Sequence, residues 1–242
     1  MRRFFIDKNC IKEKSVEIQG KEAHHIKDVI RLRPGDRFLG FDGTGKNYTL
    51  RVITTGDTVK ADIEKISSGK VDMPKILLAV SMPKKSKIDE IIEKATELGV
   101  SEIIPMATER TIVKVDKKTG ISKQKRWERI ALEASKQCGR DELPKIYEPM
   151  NFKDVLELTT KLGYKTRVIP YVGEGTKNIR DALKRAEESA VFIGPEGDFT
   201  DKEIELAEKQ GLEPVSLGPL VLRVDTACIF SLSVIQSALL EG

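Results

Sequence analysis

Ile76-Leu77-Leu78-Ala79-Val80-Ser81 decides how the rest of the chain is read. An apolar run with no polar residue alternating through it describes a strand covered on both faces, the condition of strands in a parallel sheet. Directly after it, residues 84–98 place Ile88, Ile91, Ile92, Ala95 and Leu98 on one helical stripe, and Gly99 stops the pattern. Ser86 with Asp89 has the form of a capping box built on the shorter acid. Further strands are expected at 102–106, 167–170, 190–194 and 214–217. Further helices are expected near 122–138, 178–188, 201–210 and 226–240. Strand alternating with helix predicts an α/β domain whose mostly parallel sheet is covered on both faces.

Upstream the period is different. Residues 2–6, 15–19, 37–42, 47–53 and 59–66 read as short strands, the last with Ala61 and Ile63 on the face of Val59. Asp42-Gly43-Thr44-Gly45 supplies a hairpin turn. Residues 21–31 form one helix, with Ala23, Ile26, Val29 and Ile30 at helical spacing, ended by Pro34-Gly35-Asp36. Short strands with a single helix fit a small barrel. Ser67-Ser68-Gly69-Lys70 reads as a linker, which gives domains at 1–70 and 71–242.

Composition narrows the classes of function. No apolar run is long enough to span a bilayer, and the charged first twenty residues contain no signal-peptide core. Cys10, Cys138 and Cys228 are far apart and odd in number, so they make neither a disulfide framework nor a metal-ligand spacing, and no metal is expected. The only histidines, His24 and His25, are adjacent and point to different helix faces. The expected compartment is the reducing cytoplasm. Net charge is +4, unevenly distributed: residues 1–75 hold 16 Lys/Arg against 11 Asp/Glu, and 110–145 hold 11 against 5. Two basic segments on an otherwise acidic chain suit a surface that faces a polyanion, or a solvated face.

In an open α/β sheet, ligands bind beyond the carboxyl ends of the strands. Three such ends carry glycine and proline: 169–175 (IPYVGEG), 193–200 (IGPEGDFT) and 217–226 (LGPLVLRVDT). Each is either a tight turn or part of a site; three together favour a small-molecule site. A phosphate-binding P-loop sequence is absent, Gly173-Glu174-Gly175 lacks the third glycine of a dinucleotide fingerprint, and Asp42–Lys46 sits in a hairpin instead of before a helix.

The chain resembles the bacterial small-subunit ribosomal RNA uridine-N3 methyltransferases, a branch of the SPOUT superfamily. The resemblance is carried by His24-His25-Ile26 leading to Arg31, by Gly35-Asp36 and Asp42-Gly43, and by Lys94-Ala95-Thr96-Glu97-Leu98-Gly99-Val100. It continues through Glu109-Arg110, Gln137 with Arg140 and Pro144, Gly194-Pro195-Glu196-Gly197, Leu217-Gly218 and Leu222-Arg223 before Thr226-Ala227. The Gly-Pro-Glu-Gly and Leu-Arg segments at this separation are its specific part. Asp198 stands where the family commonly has a second glycine, and Val224-Asp225 replaces a Thr-Glu pair, Asp225 keeping an acid able to cap the final helix.

That resemblance implies a trefoil-knot catalytic domain after a PUA-like RNA-binding barrel, with the three loops forming the knot and holding S-adenosylmethionine in a bent shape. It implies backbone groups of Ile193, Gly194, Leu217 and Leu222 around the adenosine, with Pro170, Pro195, Glu196, Gly197, Gly218 and Thr226 completing the pocket. It also implies a homodimer paired through helices at the knot, and small-subunit ribosomal RNA, within an assembled or assembling subunit, as the partner. Arg223, just past the cofactor loop, is the expected catalytic cation, since deprotonated uracil spreads negative charge over its ring oxygens; the alternative is that it pairs with Glu196 or Asp225. Arg31, Arg33, Arg110 and Arg140, with the 114–129 stretch, are the expected phosphate contacts. Rival readings are a SPOUT enzyme acting on transfer RNA or a ribose 2′-hydroxyl, and a non-catalytic ribosome-assembly protein.

Overall fold

The computed structural model describes residues 2–68, 74–83, 87–111, 117–173, 176–183 and 188–240. Two compact units share them: Met1–Asp72 with Ser135–Leu143, and Met73–Ala134 with Pro144–Gly242.

The first unit has a five-stranded sheet made of β1 (Arg3–Phe5), β2 (Ser15–Gln19), β3 (Arg37–Phe41), β4 (Lys46–Thr54) and β5 (Thr58–Ser68), in the order β1-β3-β4-β5-β2. Alternate residues point inward, and Phe4, Val16, Ile18, Phe38, Leu50, Val52, Val59 and Ala61 form its core with Ile26. The expected 42–45 hairpin joins β3 to β4. The expected single helix over 21–31 is instead a short α1 (Gly20–His24) followed by a wider turn, in which the Ile30 amide donates to the His25 carbonyl at 2.9 Å. Arg31 then reverses the chain with φ of 60°. The expected linker is also revised: Ser67 and Ser68 belong to β5, opposite Asn47 and Lys46, while Gly69 and Lys70 lie outside the described residues.

The strip Ser135–Leu143 belongs to this unit by its bonds. The Arg3 guanidinium donates to the Asp141 carboxylate, the Asn47 amide donates to the same carboxylate at 2.7 Å, and the Leu143 amide donates to the Gly43 carbonyl at 3.0 Å. Beside it, the Tyr48 hydroxyl donates to Asp42 at 3.1 Å. Burial, and then the hydrogen bond to Asp42, push the Tyr48 phenol from 10 up to about 12. A raised folded-state value means stability that is fully present below pH 10 and lost as pH climbs towards 12. Alkaline unfolding followed by circular dichroism is expected to show this loss, and Tyr48→Phe is expected to flatten it.

The second unit is an eight-stranded sheet in which every pairing is parallel. Its strands are β6 (Lys75–Ser81), β7 (Glu102–Ala107), β8 (Lys145–Ile146), β9 (Met150–Asn151), β10 (Thr166–Pro170), β11 (Lys177–Asn178), β12 (Glu188–Ile193) and β13 (Glu213–Ser216). Their order is β11-β13-β10-β12-β6-β7-β8, with β9 pairing β7. The apolar run at 76–81 is the central strand. Ile76, Leu78 and Val80 enter one core, with α2 (Lys87–Glu97), Trp127 of α3 (Lys117–Cys138) and α7 (Val224–Leu240). Leu77 and Ala79 enter the other, with α4 (Phe152–Lys161) and α6 (Asp201–Lys209).

Sequence order and spatial order differ. The chain moves outward from β6 through β7 and β8, jumps to β10 on the opposite side, fills the gap with β12, and adds β13 outside β10. It then returns to lay α7 against α2, β12 and β6.

Several expectations are revised. Helix α4 is not among those read from the sequence. Of the helix expected over 178–188, the described part is α5 (Ile179–Ala182); residues 184–187 lie outside the described residues, and Glu188 opens β12 opposite Lys75. Helix α7 starts at Val224, so Asp225 sits inside its first turn and not ahead of it. Ser86, one half of the expected capping box, is outside the described residues; its partner Asp89 is paired with Arg126.

Candidate active site

Strands β13, β10 and β12 are neighbours in the parallel sheet, so their carboxyl ends lie side by side. The loops leaving them enclose a cavity of about 350 Å³, within the roughly 300–1,000 Å³ common for small-molecule sites. The first loop contributes Pro170, Tyr171, Val172 and Gly173; the second contributes Gly194, Pro195, Glu196 and Asp198; the third contributes Ser216 to Leu222 and then Val224.

Of the expected pocket residues, Pro170, Gly194, Pro195, Glu196, Leu217, Gly218 and Leu222 line this cavity. Ile193 is buried in the core beneath it, Gly197 turns towards Arg110, and Thr226 is exposed in the first turn of α7. Glu174 and Gly175 lie outside the described residues. The expectation missed three apolar walls: Val172, Leu220 and Val221 are 70, 75 and 82% exposed. Large apolar side chains in turn-forming loops, where no core requires them, are the signal that could have found them.

Backbone constraints shape the loops. A Cβ on Gly194 would stand 2.9 Å from Cε2 of Phe199, a ring that is 1% exposed. Gly218 has φ of +121°, a region closed to side chains with a Cβ. Asp198 takes a left-handed φ of 61°, and its carboxylate ties two loops together. It accepts from the Phe199 amide at 2.8 Å and from the Val172 amide at 3.3 Å. The Tyr171 hydroxyl donates to Asp201 at 3.0 Å, and that bond raises the phenol's pKa.

The other flank of the Gly-Pro-Glu-Gly loop is held from the end of β7. Arg110 donates through Nη1 to the Gly197 carbonyl at 2.6 Å. The buried Glu203 carboxylate accepts from the Glu109 amide at 2.9 Å, while closing a capping box with Thr200 at the start of α6.

Arg223 is exposed, between the wall residues Leu222 and Val224, and makes no ion pair among the described residues. Of the two partners the sequence left open for it, Asp225 is taken by Lys87 Nζ at 3.1 Å, and Glu196 makes no ion pair among the described residues. Arg31 and Arg33 are exposed on the first unit, and Arg140 is half-buried there with Nε donating to the Glu142 carbonyl at 3.0 Å. Arg110 is on the second unit, and part of its guanidinium is committed to the loop. Residues 114–116 of the expected basic stretch are outside the described residues.

The sequence matches the model of an RNA methyltransferase domain over residues 71–236 and that of an RNA methyltransferase PUA domain over 18–64. A ribosomal RNA small subunit methyltransferase E of Bacillus subtilis is 32% identical, over 100% of this chain and 99% of that one. One of Synechocystis is 34% identical, over 99% of this chain and 78% of that one. The structure of a ribosomal RNA small subunit methyltransferase E of Neisseria gonorrhoeae bound to S-adenosylmethionine matches with a TM-score of 0.85 at 26% identity, covering 98% of this chain and 97% of that one. The fold class is therefore the SPOUT-type trefoil-knot α/β domain, preceded by a PUA-like β-barrel. With a methyltransferase model matching well over half of its length and relatives of 32% and 34% identity running its full extent, the chain belongs to the family of the ribosomal RNA small subunit methyltransferases E.

Proposed function

We propose that this enzyme transfers a methyl group from S-adenosylmethionine to N3 of a uridine in small-subunit ribosomal RNA, with residues 1–70 gripping RNA and 71–242 carrying the chemistry. The observation that carries this reading is the cavity at three adjoining strand tips, with exposed apolar walls and glycine-shaped backbone. Those walls fit the group: Val172, Leu220 and Val221 offer apolar surface to a flat base, and Gly218, with nothing within 4 Å of where a Cβ would stand, leaves backbone open to close approach. Of the residues expected to hold it, the seven that line the cavity are proposed to do so: Pro170, Gly194, Pro195, Glu196, Leu217, Gly218 and Leu222. Bound there, S-adenosylmethionine supplies a methyl carbon made electrophilic by its sulfonium leaving group.

The chain's own part is orientation and charge. N3 of uracil is a nucleophile once its proton has left, and Arg223, which makes no ion pair among the described residues, is the cation proposed to stabilise the negative charge on the ring oxygens. The target base must leave its stack to reach the cavity. Arg31, Arg33, Arg110 and Arg140 are proposed to hold phosphates, Arg110 with the nitrogens that Gly197 does not use. RNA affinity measured between 50 and 200 mM salt is expected to fall by about tenfold or more, because several phosphate contacts release counterions. A flat profile would remove the phosphate role.

We further assign the active form as a homodimer. The surface of α7 carries exposed Ile229 and Phe230 beside a groove lined by Leu183, Val234 and Ala238, and a second copy is its proposed cover. Sedimentation of the wild type is expected to give a dimer, and Phe230→Asp a monomer. The proposed compartment is the cytoplasm; no described helix is long and apolar enough to cross a membrane.

The experiment that tests the function uses labelled S-adenosylmethionine and small subunits from a strain lacking the modification. Nuclease digestion and mass spectrometry are expected to find 3-methyluridine. Label on a ribose, on transfer RNA alone, or nowhere would overturn the reading.

A further inference from the structure

The wall of the cavity has a charge opposite to that of the chain. Among the described residues that line it, two carry charge, Glu196 and Asp198, and both are acidic. The chain as a whole is +4. The neighbouring cations are not part of the wall: Arg110 spends Nη1 on the Gly197 carbonyl, and Arg223, next in sequence to the lining residues Leu222 and Val224, does not itself line the cavity.

The two acids are not equivalent. Glu196 is exposed and makes no ion pair among the described residues. Asp198 is half-buried, and its carboxylate is fixed at the junction of the first two loops by the amides of Phe199 and Val172. A carboxylate has about four acceptor positions, and these amides use two. The negative charge is therefore held in place beside the cavity, and among the described residues no cation forms an ion pair with it.

From this we infer that Asp198 makes the cavity selective for the cationic methyl donor over the neutral-sulfur product. The inference rests on the reading of this cavity as the S-adenosylmethionine site. Transfer breaks the bond between sulfur and the methyl carbon, and its electron pair stays on sulfur, which becomes an uncharged thioether. The methyl carbon bonds to uracil N3, whose proton passes to solvent. The amino-acid and adenosine parts of the ligand are the same before and after, so the charge on sulfur is what a fixed carboxylate can sense. Asp198 thus holds the donor and releases the product.

The test is calorimetry of three ligands, S-adenosylmethionine, its cationic amine analogue sinefungin, and S-adenosylhomocysteine, on wild type, Asp198→Asn and Asp198→Gly. Asparagine tolerates the left-handed backbone and keeps an acceptor for the Phe199 amide, and glycine adopts the same φ freely. In both variants the two cationic ligands are expected to weaken about fivefold or more, and the thioether less than about twofold, as befits a charge in a solvent-open cavity. Equal weakening of all three would mean that Asp198 only shapes the loop, and an unchanged preference would mean that its charge is not felt; either result overturns the inference while leaving the cofactor site standing. Wild type that binds none of the three would instead remove the site itself, and the inference with it.

Discussion

Arg223→Ala is expected to lower turnover at saturating cofactor by about a hundredfold or more, the size of effect seen when one charge-stabilising donor is removed from an active site. Affinity for S-adenosylmethionine is expected to stay within about twofold, because Arg223 is not part of the cavity wall. The expectation rests on the ion pairs around it. Lys87 occupies the Asp225 carboxylate at 3.1 Å, so the guanidinium next door is not needed to neutralise it. Arg223 makes no ion pair among the described residues and stands exposed beside two lining residues. A purely structural arginine would show its loss as a lower melting temperature with turnover preserved. Single-turnover methylation alongside a thermal melt separates the two outcomes, and wild-type turnover in the variant would remove Arg223 from the mechanism.

Gly194→Val is expected to weaken S-adenosylmethionine binding by about tenfold or more and to cost about 1–3 kcal/mol of stability through overpacking. The added Cβ would meet Phe199 carbons at 2.9 and 3.0 Å. That ring has little room to give: it is 1% exposed, and the Phe152 ring lies 5.3 Å away, itself 6.3 Å from Phe192. The Cβ direction is set by the backbone, so the variant must either push into this aromatic cluster or shift the backbone of the loop that lines the cavity. Calorimetry and thermal unfolding read the two effects separately. Wild-type affinity in a folded variant would show that the backbone here does not approach the ligand.

How much of this was legible depended on whether the signal was local. The central strand was readable because burial on both faces leaves no polar position, and 76–81 has none before its terminal serine. Helix α4 was readable in principle. Phe152, Val155, Leu156 and Thr159 are buried at helical spacing, and Asn151 caps the Asp154 amide at 2.9 Å, but two adjacent threonines dilute the pattern. Ser67 and Ser68 look like linker because side chains advertise polarity, whereas strand pairing uses backbone groups that every residue has.

The site follows the same rule. Seven of the ten residues expected around the cofactor line one cavity, since glycines and prolines at strand tips are local signals. The chemistry of single charges was less legible. Arg110 looks like a phosphate contact in the sequence, and nothing nearby in the chain announces its bond to Gly197, eighty-seven residues away. Asp198 reads as a departure from a glycine; one amide partner, Phe199, is its neighbour in sequence, while the other, Val172, becomes visible once the first and second loops are brought together.

The strip Ser135–Leu143 also bears on how the molecule is made. A ribosome delivers the chain from its amino end, and domains ordinarily fold as they emerge. Here the amino-terminal unit must wait: Arg3 and Asn47 are synthesised early, yet their shared acceptor Asp141 arrives only after the first strand, helix and second strand of the other unit have appeared. Completion of the first-born part is thus postponed until the later-born part is under way, and a fragment ending at Asp72 would lack nine residues of its own unit.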